Sequence, residues 1–249
     1  MQSFLNDKII SERYFFPQKD SFEEPFWLNC EGADLACKYF VKDEQTKTII
    51  HFHGNGEVVS DYIDSFVPQI LEMGYNIFLF EYRGYGMSTG NPEIVSMLND
   101  TEKAIKQINL PFENIILFGR SVGSIYAIHA ANCFPKISGL IIESGIADVL
   151  ERMLLRVNPT ELNETNTAFE NEVLKYFNNE AKISMFEGAS LFIHSEYDGL
   201  VDVSHAKLLF AAANEPKRLI IFPNGNHNTI ISVNWHEYFR IIDSFIKSL

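Results

Sequence analysis

Apolar and polar positions alternate along this chain in two rhythms that take turns. "FWLNC" and "LACKYFV" flank the turn-forming "EGAD" and predict an antiparallel hairpin near the N-terminus. "TKTIIHFHG", "YNIFLFEYRG", "NIILFG", "ISGLIIESG", "ASLFIHSEYDG" and "KRLIIF" are short, nearly unbroken apolar runs that end in polar or glycine residues. Between them, "SDYIDSFVPQILEMG", "IVSMLNDTEKAIKQI", "SVGSIYAIHAANC", "SHAKLLFAAA" and "VNWHEYFRIIDSFIKSL" space their apolar residues as helices do, the first stopping at Gly74. Strands that are apolar throughout and alternate with helices predict an α/β fold, a mostly parallel sheet covered on both faces. Ligands of such sheets sit beyond the carboxyl ends of the strands, so polar residues that follow an apolar run are the ones to inspect.

Residues 146–188 interrupt the rhythm. "IADVLERMLLRV" and "AFENEVLKYFN" have helical spacing around the polar "NPTELNETNT". The segment lies between two strand signals on the ligand edge, which fits either a helical lid or a long crossover with extra helical turns. Nothing else divides the chain, so residues 1–249 are expected to form one domain.

Composition narrows the partners. With 249 residues and 46% hydrophobic content the chain has ample material for a core. A net charge of -13 would repel nucleic acid and anionic membrane surfaces. No apolar run reaches the roughly 18 residues of a membrane span, and the N-terminus has no signal-peptide pattern. Cys30, Cys37 and Cys133 have no zinc-type spacing and fit reduced thiols in the cytoplasm, although a Cys30–Cys37 bridge across the hairpin is conceivable.

The chemistry concentrates at Gly119-Arg120-Ser121-Val122-Gly123, a G-x-S-x-G pattern between a strand and a helix. Such a turn strains its central residue and needs small neighbours, and it lifts the serine hydroxyl above the sheet. A serine needs a base, and the base an acid. Among the downstream histidines, His129 and His194 fall inside a helix and a strand, and His205 and His236 in helical patterns. His227, in "FPNGNHN" directly after a strand, is the candidate base. Glu196, Asp198 and Asp202 are possible acids. Asp198, just past a strand end and before Gly199, is favoured, and Asp202 suits a helix N-cap. Two backbone amides should face a developing oxyanion: that of Val122, and one from "HGNG" (His53 to Gly56), with Asn55 first and Gly54 second.

In the order "HFHGNGEVVSDY", "FLFEYRGYGMSTG", "LFGRSVGS", "LIIESGIAD", "LFIHSEYDGLV" and "NGNH", the chain from about Phe26 onward resembles the α/β-hydrolase superfamily. It is most similar to the Bem46-like group and the protein-depalmitoylating α/β-hydrolase-domain proteins. The resemblance implies Ser121 as nucleophile, Asp198 as acid, His227 as base, and a structural role for Arg83 in "YRGYGMS". It implies a serine hydrolase that cleaves acyl esters or thioesters through an acyl-enzyme, without metal or organic cofactor. The alternatives are a peptidase or acyltransferase on the same site, or a non-catalytic ligand-binding protein that keeps the fold.

Overall fold

The computed structural model describes residues 3–249; Met1 and Gln2, part of the expected single domain, lie outside the described residues. Helix α1 (Lys8–Tyr14) precedes the hairpin of β1 (Phe26–Cys30) and β2 (Ala33–Phe40), which turns on Gly32 at φ 77°. There follow β3 (Thr48–Phe52), α2 (Ser60–Ile63), α3 (Phe66–Glu72), β4 (Asn76–Phe80), α4 (Ser96–Ile108), β5 (Ile115–Arg120), α5 (Gly123–Cys133) and β6 (Gly139–Glu143). Helices α6 (Val149–Leu154), α7 (Asn166–Phe177) and α8 (Asn179–Ser184) occupy the irregular segment. The chain closes with β7 (Ala189–Ser195), α9 (Val203–Ala212), β8 (Lys217–Phe222), α10 (Ile230–Val233) and α11 (Trp235–Ile246).

The eight strands form one sheet in the order β1-β2-β4-β3-β5-β6-β7-β8. Pairing is antiparallel from β1 to β4 and parallel from β4 to β8. Every residue of β3, β4, β5 and β6 is buried, as their unbroken apolar runs require. Strand β8 at the edge is only partly covered. One apolar layer packs α1, α4 and α5 against a face of the sheet, and another packs α3 and α11 against the opposite face. Burial on both faces is what keeps the ends of β3, β5, β7 and β8 in fixed register at one edge.

Two expectations need correction. The helix foreseen over 60–74 is broken at Asp64–Ser65 into α2 and α3. The pattern "VLERMLLRV" gives a helix only to Leu154, and α8 is an element its spacing did not announce. The Cys30–Cys37 bridge, the lesser of the two readings, is absent: Cys30 pairs with Ala33 and Cys37 with Phe26 at opposite ends of the hairpin, and both are buried free thiols. Among the described residues no helix is long and apolar enough to cross a membrane.

Candidate active site

Ser121 sits between the end of β5 and the start of α5 with φ 52°, a left-handed conformation that costs a non-glycine residue roughly 1–2 kcal/mol. Its neighbours explain the pattern. A Cβ on Gly123 would lie 2.1 Å from the Phe52 carbonyl oxygen, and one on Gly119 would lie 2.7 Å from Ala127 Cβ, so both flanks must be glycine. The Ser121 amide donates to the Glu143 carbonyl at 2.8 Å, anchoring the turn to the adjacent strand.

The loop after β8 brings His227 over this turn. Its Nε2 lies 3.0 Å from Ser121 Oγ, and its Nδ1 lies 2.7 Å from Asp198 Oδ2. Asp198 is oriented in turn, because Oδ1 accepts from the Leu200 and Val201 amides at 2.9 and 2.8 Å. All three side chains are buried. Asp202 caps α9 through the Ser204 amide instead, and Glu196 is exposed. Of the other downstream histidines, His194 bonds the Val201 carbonyl at 2.9 Å through Nε2, which also lies 3.4 Å from Asp198 Oδ2. His205 bonds the Ala147 amide, His129 contacts Glu102 and Lys182, and His236 is exposed.

Burial alone would raise the Asp198 pKa, but the hydrogen bonds from His227, Val201 and Leu200 outweigh it and bring the carboxyl from an ordinary 3.8 down to about 2. A depressed carboxylate stabilises the fold above its unfolded pKa and loses that contribution as pH falls through its folded value. The shift corresponds to at most about 2 kcal/mol. Wild-type protein is therefore expected to lose this increment between pH 4 and pH 2. In Asp198→Asn, melting temperatures over that range should fall less steeply. Parallel curves for the two proteins would show that Asp198 makes no such contribution.

The loop after β3 has its geometry set by several contacts. His53 is held by Glu81 at 2.7 Å and by the Gly54 carbonyl at 2.8 Å. The Asn55 side chain accepts from the Phe16 amide and the Tyr85 hydroxyl, and donates to the Tyr14 carbonyl at 2.6 Å. The Gly54 amide donates to Glu57 at 2.6 Å, so of the two expected donors in this loop it is committed elsewhere. Among the described residues, the Asn55 and Val122 amides have no acceptor.

Sequence reasoning passed over Arg120, whose role depends on the register of the sheet. It is the strand partner of Glu143, its Nε 3.4 Å from Glu143 Oε1. Its Nη2 lies 2.9 Å from Glu57 Oε1 and donates to the His227 carbonyl at 3.1 Å. Burial opposes its charge, yet Glu143 and Glu57 more than offset that and hold its pKa above the ordinary value. Tyr238 donates to Glu143 and Tyr62 to Glu57, completing a buried network under the site. The only signal in the sequence is an arginine and a glutamate at the ends of two otherwise apolar strands. Arg83, by contrast, lies as expected in a structural pair, with two hydrogen bonds to Asp100 at 2.5 and 2.8 Å.

Above Ser121 and His227 is a cavity of about 180 Å³. Ile146, Arg152 and Arg156 from the 146–188 segment line it, together with Leu200 and Val201 and, from the N-terminal segment, Tyr14 and Phe16. That N-terminal contribution had no signal in the sequence. A larger cavity, about 850 Å³, lies around Arg83, Asp100 and Lys103 and does not contain the hydrogen-bonded serine.

Residues 43–185 match the sequence profile of the family described as serine aminopeptidase, S33. "Uncharacterized protein YfhR" of Escherichia coli O157:H7 is 30% identical over 247 residues, covering 95% of this chain and 82% of that protein. Human alpha/beta hydrolase domain-containing protein 17B is 24% identical over 234 residues, covering 89% and 76%. Among solved structures, the Pyrococcus furiosus esterase Pf2001 superposes with a TM-score of 0.70 at 18% identity, covering 90% of this chain and 91% of that one, a likeness of fold. The fold and the matched profile agree: the chain belongs to the serine aminopeptidase S33 family of the α/β-hydrolase superfamily.

Proposed function

We propose that the protein is a serine hydrolase that cleaves short acyl esters or thioesters through an acyl-enzyme. The observation that carries this reading is the chain Ser121–His227–Asp198, linked at 3.0 and 2.7 Å and placed where three strands end. Ser121 Oγ attacks the acyl carbonyl as His227 Nε2 takes its proton, and Asp198 holds the resulting imidazolium at Nδ1. The carbonyl oxygen becomes an oxyanion, and the uncommitted amides of Asn55 and Val122 donate to it. As the tetrahedral intermediate collapses, the bond to the leaving alcohol or thiol breaks and His227 returns the proton to it. Water then attacks the acyl-serine by the same route, its proton going to His227 and then to Ser121, and the carboxylic acid leaves. None of these steps calls for a metal or organic cofactor.

The cavity is smaller than the roughly 300–1,000 Å³ of sites for drug-sized ligands, which supports a short acyl group. In this reading residues 146–188 are a lid within a single domain, since Ile146, Arg152 and Arg156 wall the cavity. The free thiols of Cys30, Cys37 and Cys133 fit a reducing, cytoplasmic setting. An aminopeptidase would have to bring a protonated α-amine next to Arg152 and Arg156, which like-charge repulsion disfavours.

The test is a substrate panel. 4-Nitrophenyl butyrate and the thiophenyl ester of butyrate are expected to turn over, and L-alanyl-4-nitroanilide is not. Preference for the anilide would replace the esterase reading with a peptidase.

A further inference from the structure

Four arginines of this chain have carboxylate partners, and Arg218, exposed on β8, has none. Arg13, Arg83, Arg120 and Arg240 each have a carboxylate oxygen within 4.0 Å. Arg152 and Arg156, both on the wall of the cavity that holds Ser121, have no carboxylate and no hydrogen-bond partner among the described residues. The chain has 33 acidic and 20 basic residues, yet neither of these two arginines is neutralised within the cavity. An acid in the cavity lining and one beside Arg152 in sequence are engaged with other groups. Glu57, on the same wall, is saturated by Arg120, the Tyr62 hydroxyl and the Gly54 amide. Glu151, adjacent to Arg152 in sequence, lies 3.3 Å from His205 Nε2.

Arg152 is half-buried and Arg156 exposed, and Arg156 is braced against a ring. The Arg156 guanidinium stacks 4.8 Å from the centroid of the Phe16 ring, which leaves its N–H edge available. The Tyr14 phenol shares this wall; burial pushes its pKa up to about 12 against the pull of both arginines, so its O–H remains a donor at neutral pH. A guanidinium pair with a phenol beside it suits a carboxylate or phosphate, which accept several donors at once. Ile146, Leu200 and Val201 supply the apolar remainder of the cavity.

We propose that this cavity takes substrates carrying a negative charge a few bonds from the scissile carbonyl, as a carboxylate or phosphate held by Arg152 and Arg156. The proposal rests on the hydrolase reading for which bond is cut, but not for the binding of charge. At about 180 Å³ the cavity sets the charge close to the carbonyl. Two substrate pairs separate its possible positions. Mono-4-nitrophenyl glutarate against 4-nitrophenyl pentanoate places a carboxylate on the acyl side. 4-Acetoxyphenyl phosphate against phenyl acetate places a phosphate on the leaving side.

In at least one pair, the wild-type kcat/KM for the anionic member is expected to exceed that for the neutral one by about 10- to 100-fold, the effect of charge-assisted hydrogen bonds. Added salt should shrink that ratio, and the double variant Arg152→Gln/Arg156→Gln should bring it to near one. Ser121→Ala, titrated calorimetrically with the same four esters, should show the same preference in Kd. Equal affinity for charged and neutral members in Ser121→Ala, with equal wild-type kcat/KM, overturns the charge proposal and leaves the hydrolase reading standing. A retained preference in Ser121→Ala binding with no wild-type turnover of any ester supports the charge site and overturns the hydrolase reading.

Discussion

Replacing Ser121 by alanine is expected to lower kcat/KM for a short acyl ester by about four to six orders of magnitude, or roughly 5–8 kcal/mol of transition-state stabilisation. The proposed mechanism expects a loss that large because in it Ser121, His227 and Asp198 act as one unit. Without the hydroxyl, the proton transfer at His227 and the imidazolium contact at Asp198 have no reaction to serve. What remains is the hydrogen bonding of the Asn55 and Val122 amides to the carbonyl oxygen. The fold should persist, because the Ser121 side chain has a single hydrogen bond, to His227, and alanine occupies less space in the same turn. Steady-state kinetics beside a thermal melt checks both statements. Activity within tenfold of wild type in a folded Ser121→Ala protein would remove the serine from the mechanism.

Arg120→Met is expected to have the largest effect on stability. Removing one partner of a buried ion pair leaves the other charge uncompensated, at a cost of about 3–5 kcal/mol. Here two carboxylates lose their cation, and Glu143, fully buried, has its pKa already raised by burial and held back by Arg120. For a chain of this length that corresponds to a melting temperature lower by roughly 6–20 °C. Neutralising the orphaned acid as well, in Arg120→Met/Glu143→Gln, should recover part of the loss. The same arginine ties together the loop of Gly54 and Asn55, through Glu57, and the loop of His227, through its carbonyl. Residual folded Arg120→Met protein at low temperature is therefore expected to show a lower kcat with a smaller change in KM. A melting temperature within 2 °C of wild type, measured by calorimetry, would contradict this account.

How far these features could be read from the sequence depended on their range. The parallel strands were readable because burial on both faces demands unbroken apolar runs, as in β3 to β6. Ser121 was readable because Gly119 and Gly123 have local reasons to be glycine. His227 and Asp198 were readable because each follows a strand, and strand ends share one edge. The break between α2 and α3 was not, since apolar spacing continues across Asp64 and Ser65. The Arg120 network needed the register that pairs Arg120 with Glu143. The part played by Tyr14 and Phe16 was hidden for a different reason: they bind Asn55 through backbone atoms, which carry no residue-type signal.

The central claim is that His227 and Asp198 make Ser121 a nucleophile. Its most direct test is the intact mass of the protein after incubation with a fluorophosphonate, with Ser121→Ala and His227→Ala alongside. The account predicts one covalent adduct on the wild-type chain and none on either variant. An unlabelled wild-type protein, under conditions that label a control serine hydrolase, would contradict it, as would full labelling of Ser121→Ala.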